Sequence, residues 1–119
     1  VKASGTLWLE LSDKKPDKPY NIKLINNSPD RGPEYTISYD GTYIAQPTSK
    51  DGAQLQSSRV PHMWRINQYA AFATIRDYGN QKLIVNASGQ KKDNGTKVIV
   101  WSDTGSAPEN AKITLIKAN

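Results

Sequence analysis

Apolar and polar residues alternate along most of this chain with a period of two. Segment 35–39 is typical, because its aromatic and aliphatic residues at 35, 37 and 39 alternate with hydroxyl residues. Side chains of a β-strand point to opposite faces in turn, so this period predicts strands rather than helices. The predicted strands are residues 6–11, 20–25, 35–39, 42–45, 64–67, 71–76, 81–85, 96–101 and 112–116. No apolar stripe at helical spacing occurs, and we predict an all-β protein.

Turn signals separate the predicted strands. The dipeptides Asp40-Gly41, Asp51-Gly52, Tyr78-Gly79 and Asn94-Gly95 stand between apolar segments. Glycine following Asp or Asn readily takes the positive φ that tight hairpin turns require. Many short strands joined by such turns are typical of a barrel or a sandwich.

The chain also repeats itself. Residues 5–13 align with residues 95–103 from a shared Gly-Thr, and a further copy starts at Gly52 and rejoins the pattern at Trp64. Three copies of one strand pattern indicate pseudo-threefold symmetry. We expect one domain made of a partial repeat 1–27, a repeat 28–69 and a repeat 70–119. Truncation, processing and divergence are all open explanations for the incomplete first repeat.

Length and composition narrow the class of protein. A chain of 119 residues forms one domain. The absence of Cys excludes disulfides and thiolate sites, and the single histidine, His62, leaves no imidazole pair for zinc. We therefore expect no metal and no cofactor. With a mean hydropathy of -0.69 and no stretch near the roughly 20 apolar residues that span a bilayer, we expect no membrane insertion and a soluble protein, secreted or cytoplasmic.

The charge distribution bears on nucleic-acid binding and on catalysis. The formal net charge is +5, but the basic residues are scattered in runs of at most two beside acidic ones. Phosphate binding needs clustered charge, so we expect no nucleic-acid partner. The acidic residues stand mostly at turns, and His62 has no Ser or Asp at a recognisable spacing. We therefore predict that the protein is not an enzyme.

The last repeat carries a family resemblance. Residues 93–101 read Asp-Asn-Gly-Thr-Lys-Val-Ile-Val-Trp, and residues 109–115 read Glu-Asn-Ala-Lys-Ile-Thr-Leu. This unit resembles the ricin B-type β-trefoil module, and residues 50–56 with 62–66 resemble it in the middle repeat. The Gln-x-Trp signature of that family is replaced by His62-Met63-Trp64 and by Ala111-Lys112-Ile113.

This resemblance implies a β-trefoil-like barrel. In its lack of Cys the chain resembles the small mushroom lectins and the mushroom β-trefoil protease inhibitors. The resemblance is therefore to fungal proteins. In such a barrel the apolar residue that closes each repeat points into the core. We therefore expect Ile22, Trp64 and Ile113 to be buried.

The resemblance also implies a sugar site in the third repeat. Trp101 stands at the position that stacks on the sugar ring, Asn110 at the loop amide position, and Asn86 beside the position of the family's aspartate. Leu11 and Ser58 stand at the stacking positions of the other two repeats, so one site is expected. The predicted function is that of a carbohydrate-binding lectin whose partners are glycans or glycoproteins.

Two alternatives remain open. A β-trefoil protease inhibitor would insert Arg31 or Arg59 into a protease, because prolines stiffen loops 29–33 and 57–61 and lower the entropy lost on docking. An accessory subunit would instead receive its missing strands from a partner chain or from another copy of itself, since unpaired strand edges favour such pairing.

Overall fold

Eight β-strands and two short 3-10 helices form the part of the chain that the computed structural model describes, residues 18–46, 48, 50–90, 93–103 and 109–115. The strands are β1 Asn21–Ser28, β2 Gly32–Tyr39, β3 Thr42–Ala45, β4 Gln56–Ser58, β5 Trp64–Gln68, β6 Ala73–Asp77, β7 Leu83–Ala87 and β8 Val98–Ser102. The 3-10 helices are Ser88–Gln90 and Glu109–Ala111. The described residues contain no α-helix, and the prediction of an all-β protein is confirmed.

One antiparallel sheet contains all eight strands. Its order is β4-β3-β2-β5-β6-β7-β8, and β1 pairs with β2 beside this path. Strands β4 and β8 are the two ends of this order, and they form no continuous ladder with each other. Residues just before β4 bond to β8 instead: Leu55 N donates to Val98 O (2.9 Å), and Val100 N donates to Ala53 O (3.0 Å). No helix long and apolar enough to cross a lipid bilayer occurs in the described ranges.

Most predicted strands coincide with observed ones; two predicted segments have no observed counterpart, and one observed strand was not predicted. Segment 6–11 lies outside the described residues. In segment 112–116, Ile113 forms only an isolated bridge with Ala73. Strand β4 was not predicted, because its sequence Gln-Ser-Ser carries no apolar alternation; it extends because it pairs with β3.

The internal repeat of the sequence has a counterpart in strand pairing. Tyr35 of β2 pairs with Trp64 of β5, and Ala73 of β6 bridges Ile113. The alignment of the second and third repeats matches Tyr35 with Ala73. Trp64 and Ile113 therefore have matching backbone partners in the two aligned segments.

The core forms around Trp64, which is fully buried. Its indole Nε1 donates to Ile44 O at 2.9 Å, so the one polar atom of the side chain is satisfied inside the core. The buried apolar residues around it are Ile37, Ile44, Leu55, Ile66, Ala73, Ile75, Leu83, Val85 and Val100. Ile113 packs against this cluster and is partly buried.

The prediction that Ile22 is buried is wrong. Ile22 is 39% exposed, and every residue of β1 except Ser28 is classed with it as exposed. Among the described strands β1 pairs only with β2, so nothing there covers its outer side. The register also differs, because Ile22 lies opposite Ile37 whereas Trp64 lies opposite Asp77. Ile22 and Trp64 are therefore not equivalent.

Substitution of these two residues should have very different effects on stability. Trp64→Ala should lower the free energy of unfolding by about 3–5 kcal/mol, because it leaves a large cavity. Ile22→Ala should cost only about 1 kcal/mol, because a substantial part of the side chain is already in solvent. Urea unfolding followed by far-UV circular dichroism measures both, and similar losses in the two variants would contradict the observed core.

Candidate functional site

Trp101 is a large apolar side chain on the surface, with 51% of its area exposed. It lies near the end of β8 and pairs with Ile84 of β7. Its ring lies beside Gly52, since a Cβ added there would be 3.5 Å from Trp101 Cζ3. Gly52 has a φ of +84°, a conformation that favours glycine over residues with a side chain. The turn at residues 51–52 can therefore pass close to the indole ring.

Hydrogen bonds fix this turn to the backbone on both sides of Trp101. Asp51 Oδ1 accepts from Ser102 N (2.7 Å) and from Ser102 Oγ (2.6 Å). Gly52 N donates to Val100 O at 2.7 Å. The residues before and after Trp101 are thus held by the same turn, which restricts the backbone from which the ring projects.

Two asparagine side chains lie near Trp101 and are oriented by hydrogen bonds. Asn86 of β7 pairs with Ile99 of β8, is 7% exposed, and donates from Nδ2 to Ile84 O at 3.1 Å. Asn110 Nδ2 donates to Ala87 O (2.8 Å) and to Asn86 Oδ1 (3.4 Å). The Oδ1 atom of Asn110 has no donor within the described part of the chain. Both amides therefore have defined orientations.

These three residues line one surface depression. Its volume is about 400 Å³, and Trp101, Asn86 and Asn110 share its wall with Ile84, Ile99, Ser88, Gly89, Ser102 and Asp103. Sites for small ligands combine apolar surface with a few polar groups that set orientation, and their volumes start at about 300 Å³. The structure thus brings together the three residues that the sequence singled out from separate segments.

Sequence reasoning missed Asp103, which lines the same depression. Arg76 Nη2 donates to Asp103 Oδ2 at 2.9 Å, and Arg76 Nη1 donates to Gln81 O at 3.1 Å. A carboxylate held by a guanidinium in this way has a fixed orientation. The sequence does carry a signal for it, because Ser-Asp ends both of the aligned segments, residues 5–13 and residues 95–103. Acidic residues at turns were attributed to turn geometry alone.

A second missed feature is the partner of His62. His62 Nε2 forms a short hydrogen bond with Asp77 Oδ1, and Asp77 Oδ2 accepts from Asn80 N at 2.8 Å. No recognisable sequence spacing pointed to this partner, because strand pairing is what brings Asp77 beside His62. No hydroxyl group of a described residue hydrogen-bonds the imidazole, whose ring centroid lies 4.7 Å from that of Trp64. The hydrogen bond between His62 and Asp77 therefore links the segment before β5 to the last residue of β6.

The two arginines of the inhibitor alternative differ in accessibility. Arg31 Nη2 donates to Tyr78 O at 2.6 Å, and its guanidinium carbon lies 4.7 Å from the centroid of the Tyr78 ring. Arg59 makes no side-chain hydrogen bond or ion pair with any described residue, and it precedes Val60, which is 69% exposed. Val60 N donates to Ser58 Oγ at 3.0 Å, so the loop is locally fixed. Arg59 is presented to solvent, whereas Arg31 is held against the protein.

Comparison of this chain with protein-family models, with curated proteins and with solved structures finds no match. In the described ranges no three His, Asp or Glu side chains lie close enough to hold one metal ion. The function must therefore be inferred from the geometry of the chain itself.

Removal of the Asp51 carboxylate should loosen the turn beside Trp101. Asp51→Ala should lower the free energy of unfolding by about 1–2 kcal/mol, because two donors of Ser102 lose their acceptor. Asp51→Asn keeps an oxygen at this position and should cost less than half as much. Urea unfolding of both variants measures the difference, and an alanine variant as stable as the wild type would show that these bonds contribute nothing.

Proposed function

We propose that the chain is a non-catalytic carbohydrate-binding protein of the ricin B-like lectin type, with its sugar site in the depression around Trp101. The observation that carries this proposal is the half-exposed Trp101 ring beside Asn86, Asn110 and Asp103 in one depression. A pyranose has an apolar C–H face and a rim of hydroxyl groups. The depression offers an apolar ring for the first and oriented polar groups for the second.

Each side chain has a distinct role in this proposal. The Trp101 ring packs on the C–H face of the sugar, because an aromatic ring supplies rigid apolar area at low cost in entropy. Asp103 accepts hydrogen bonds from sugar hydroxyls, and Arg76 keeps its carboxylate in place. Asn86 donates through the Nδ2 hydrogen that Ile84 O does not use. Asn110 contributes indirectly, because its Nδ2 orients Asn86 while its own Oδ1 is buried.

The proposed fold is a β-trefoil-like barrel with an incomplete first repeat. The repeated bridges from Tyr35 to Trp64 and from Ala73 to Ile113 support pseudo-threefold symmetry. The hydrogen bonds from Leu55 and Val100 across the two ends of the sheet order support a curved arrangement. In this proposal the third repeat carries the sugar site.

A protease inhibitor remains the second candidate, and it depends on Arg59. Arg59 stands on an exposed loop that Pro61 and the bond from Val60 N to Ser58 Oγ restrict. A restricted loop loses less entropy when it enters a protease cleft. Arg31 would first have to break its bond to Tyr78 O, so it is the weaker of the two arginines for this role.

Loss of the Trp101 ring should strongly weaken sugar binding. We expect saturable binding of one or more mono- or oligosaccharides to the wild type, measured by isothermal titration calorimetry and by a shift of tryptophan fluorescence. Trp101→Ala should weaken that binding at least about tenfold, because stacking is lost. Trp101→Tyr should retain part of it.

The matched control for Trp101→Ala is Tyr69→Ala. Tyr69 is also an aromatic residue that is half exposed, but it lies against Phe72 and outside the depression. This variant should bind sugar as the wild type does. Equal binding by Trp101→Ala and Tyr69→Ala would contradict the proposed site.

The inhibitor candidate makes a separate prediction. If the chain inhibits trypsin, Arg59→Ala should remove the inhibition, because Arg59 is the arginine free to enter the specificity pocket. Arg31→Ala should keep the inhibition and lower the free energy of unfolding, because it breaks the contacts with Tyr78. Inhibition that survives Arg59→Ala would contradict this role, and Trp101→Ala should not affect it.

A further inference from the structure

A second depression adjoins the one around Trp101. Its volume is about 410 Å³, and Ser88, Gly89 and residues 93–97 line it. Ser88 and Gly89 line both depressions. The 3-10 turn that carries these two residues therefore borders both depressions, and a ligand larger than one sugar ring that crosses it would contact both.

Backbone hydrogen bonds fix the walls of the second depression. Ser88 N donates to Lys97 O at 2.9 Å, which holds the turn after β7 beside the residue that precedes β8. Thr96 N donates to Asp93 O at 3.2 Å and closes the turn at residues 93–96. Gly89 and Gly95 have φ values of +65° and +86°, a region in which glycine is unstrained. The shape of this surface therefore depends on the backbone more than on side-chain packing.

The two depressions differ in chemistry. The one around Trp101 has an aromatic ring and the buried apolar residues Ile84 and Ile99 in its wall. The second is lined by glycine and by polar or charged residues, with no apolar side chain among them. A sugar ring in the second depression would gain hydrogen bonds without stacking. Such a subsite adds affinity to a ligand that Trp101 already holds and does not bind a single sugar by itself.

We propose that the ligand is an oligosaccharide of at least two sugars, with one ring on Trp101 and the next across the Ser88–Gly89 turn against Asp93 and Lys97. This inference rests on the proposed lectin function and extends it to the class of ligand. The carboxylate of Asp93 accepts from hydroxyl groups and the ammonium of Lys97 donates to them. The second ring thus meets both an acceptor and a donor.

The test compares monosaccharides with disaccharides that contain them. The probes are the methyl glycosides of galactose, N-acetylglucosamine and mannose, against lactose, diacetylchitobiose and mannobiose, with affinities from isothermal titration calorimetry. For the sugar that binds, the disaccharide should bind about three- to tenfold more tightly, the factor expected for one or two added hydrogen bonds. Asp93→Ala and Lys97→Ala should reduce this advantage and leave the affinity for the methyl glycoside unchanged.

Matched controls separate the subsite from general effects of charge and folding. Asp93 and Lys97 use backbone oxygens in the bonds that hold this surface, so both alanine variants keep those bonds. Asp30→Ala and Lys23→Ala remove the same charges from exposed residues elsewhere and should change neither affinity.

Each outcome bears on the inference. Equal affinity for disaccharide and methyl glycoside, or equal weakening of both by Asp93→Ala and Lys97→Ala, would overturn the subsite and leave the lectin proposal standing. If the wild type binds no sugar in the panel, both the lectin proposal and this inference are overturned. The inference is supported if the disaccharide binds more tightly and only Asp93→Ala and Lys97→Ala reduce this advantage.

Discussion

Backbone pairing of β8 is the constraint on which the rest of the site depends. On one edge its residues pair with β7, and on the other they bond to residues 53 and 55. This register directs Val100 into the core and leaves Trp101 half exposed. A shift of one residue would exchange the faces and bury Trp101. The depression therefore exists because the core requires Val100 to be inside, and the exposed ring is the consequence of that requirement.

The side chains around Trp101 come from parts of the chain that are distant in sequence. Two of them are oriented by groups that do not line the depression. Arg76 holds the carboxylate of Asp103, and Ala87 O holds the amide of Asn110. Groups held in this way lose little conformational freedom when a ligand binds. If the depression binds sugars as proposed, its single stacking ring would leave discrimination mainly to the directions of the sugar hydroxyl groups. In the proposed site Arg76 would thus set specificity through Asp103, without touching the ligand.

The sequence alone predicted those parts of the fold that depend on local pattern. Alternation located most strands, and the alignment of repeats matched Trp64 with Ile113, which pair equivalently with Tyr35 and Ala73. Trp101, Asn86 and Asn110 followed from a family resemblance, and the structure places them together. The features that were missed depend on partners far away in the chain: β4 needs β3, and His62 needs Asp77. Apolar character alone could not distinguish the exposed Ile22 from the buried Trp64.

The burial of Asn86 also has a consequence for how the protein is made. Residues 86–88 read Asn-Ala-Ser, which is an acceptor sequence for N-linked glycosylation. In the folded chain Asn86 is 7% exposed and its Nδ2 is bonded to Ile84 O, so a glycosyltransferase has no access to it. A glycan attached to this residue before folding would occupy the same depression. Wherever this acceptor sequence is modified, glycosylation and burial of Asn86 would therefore compete.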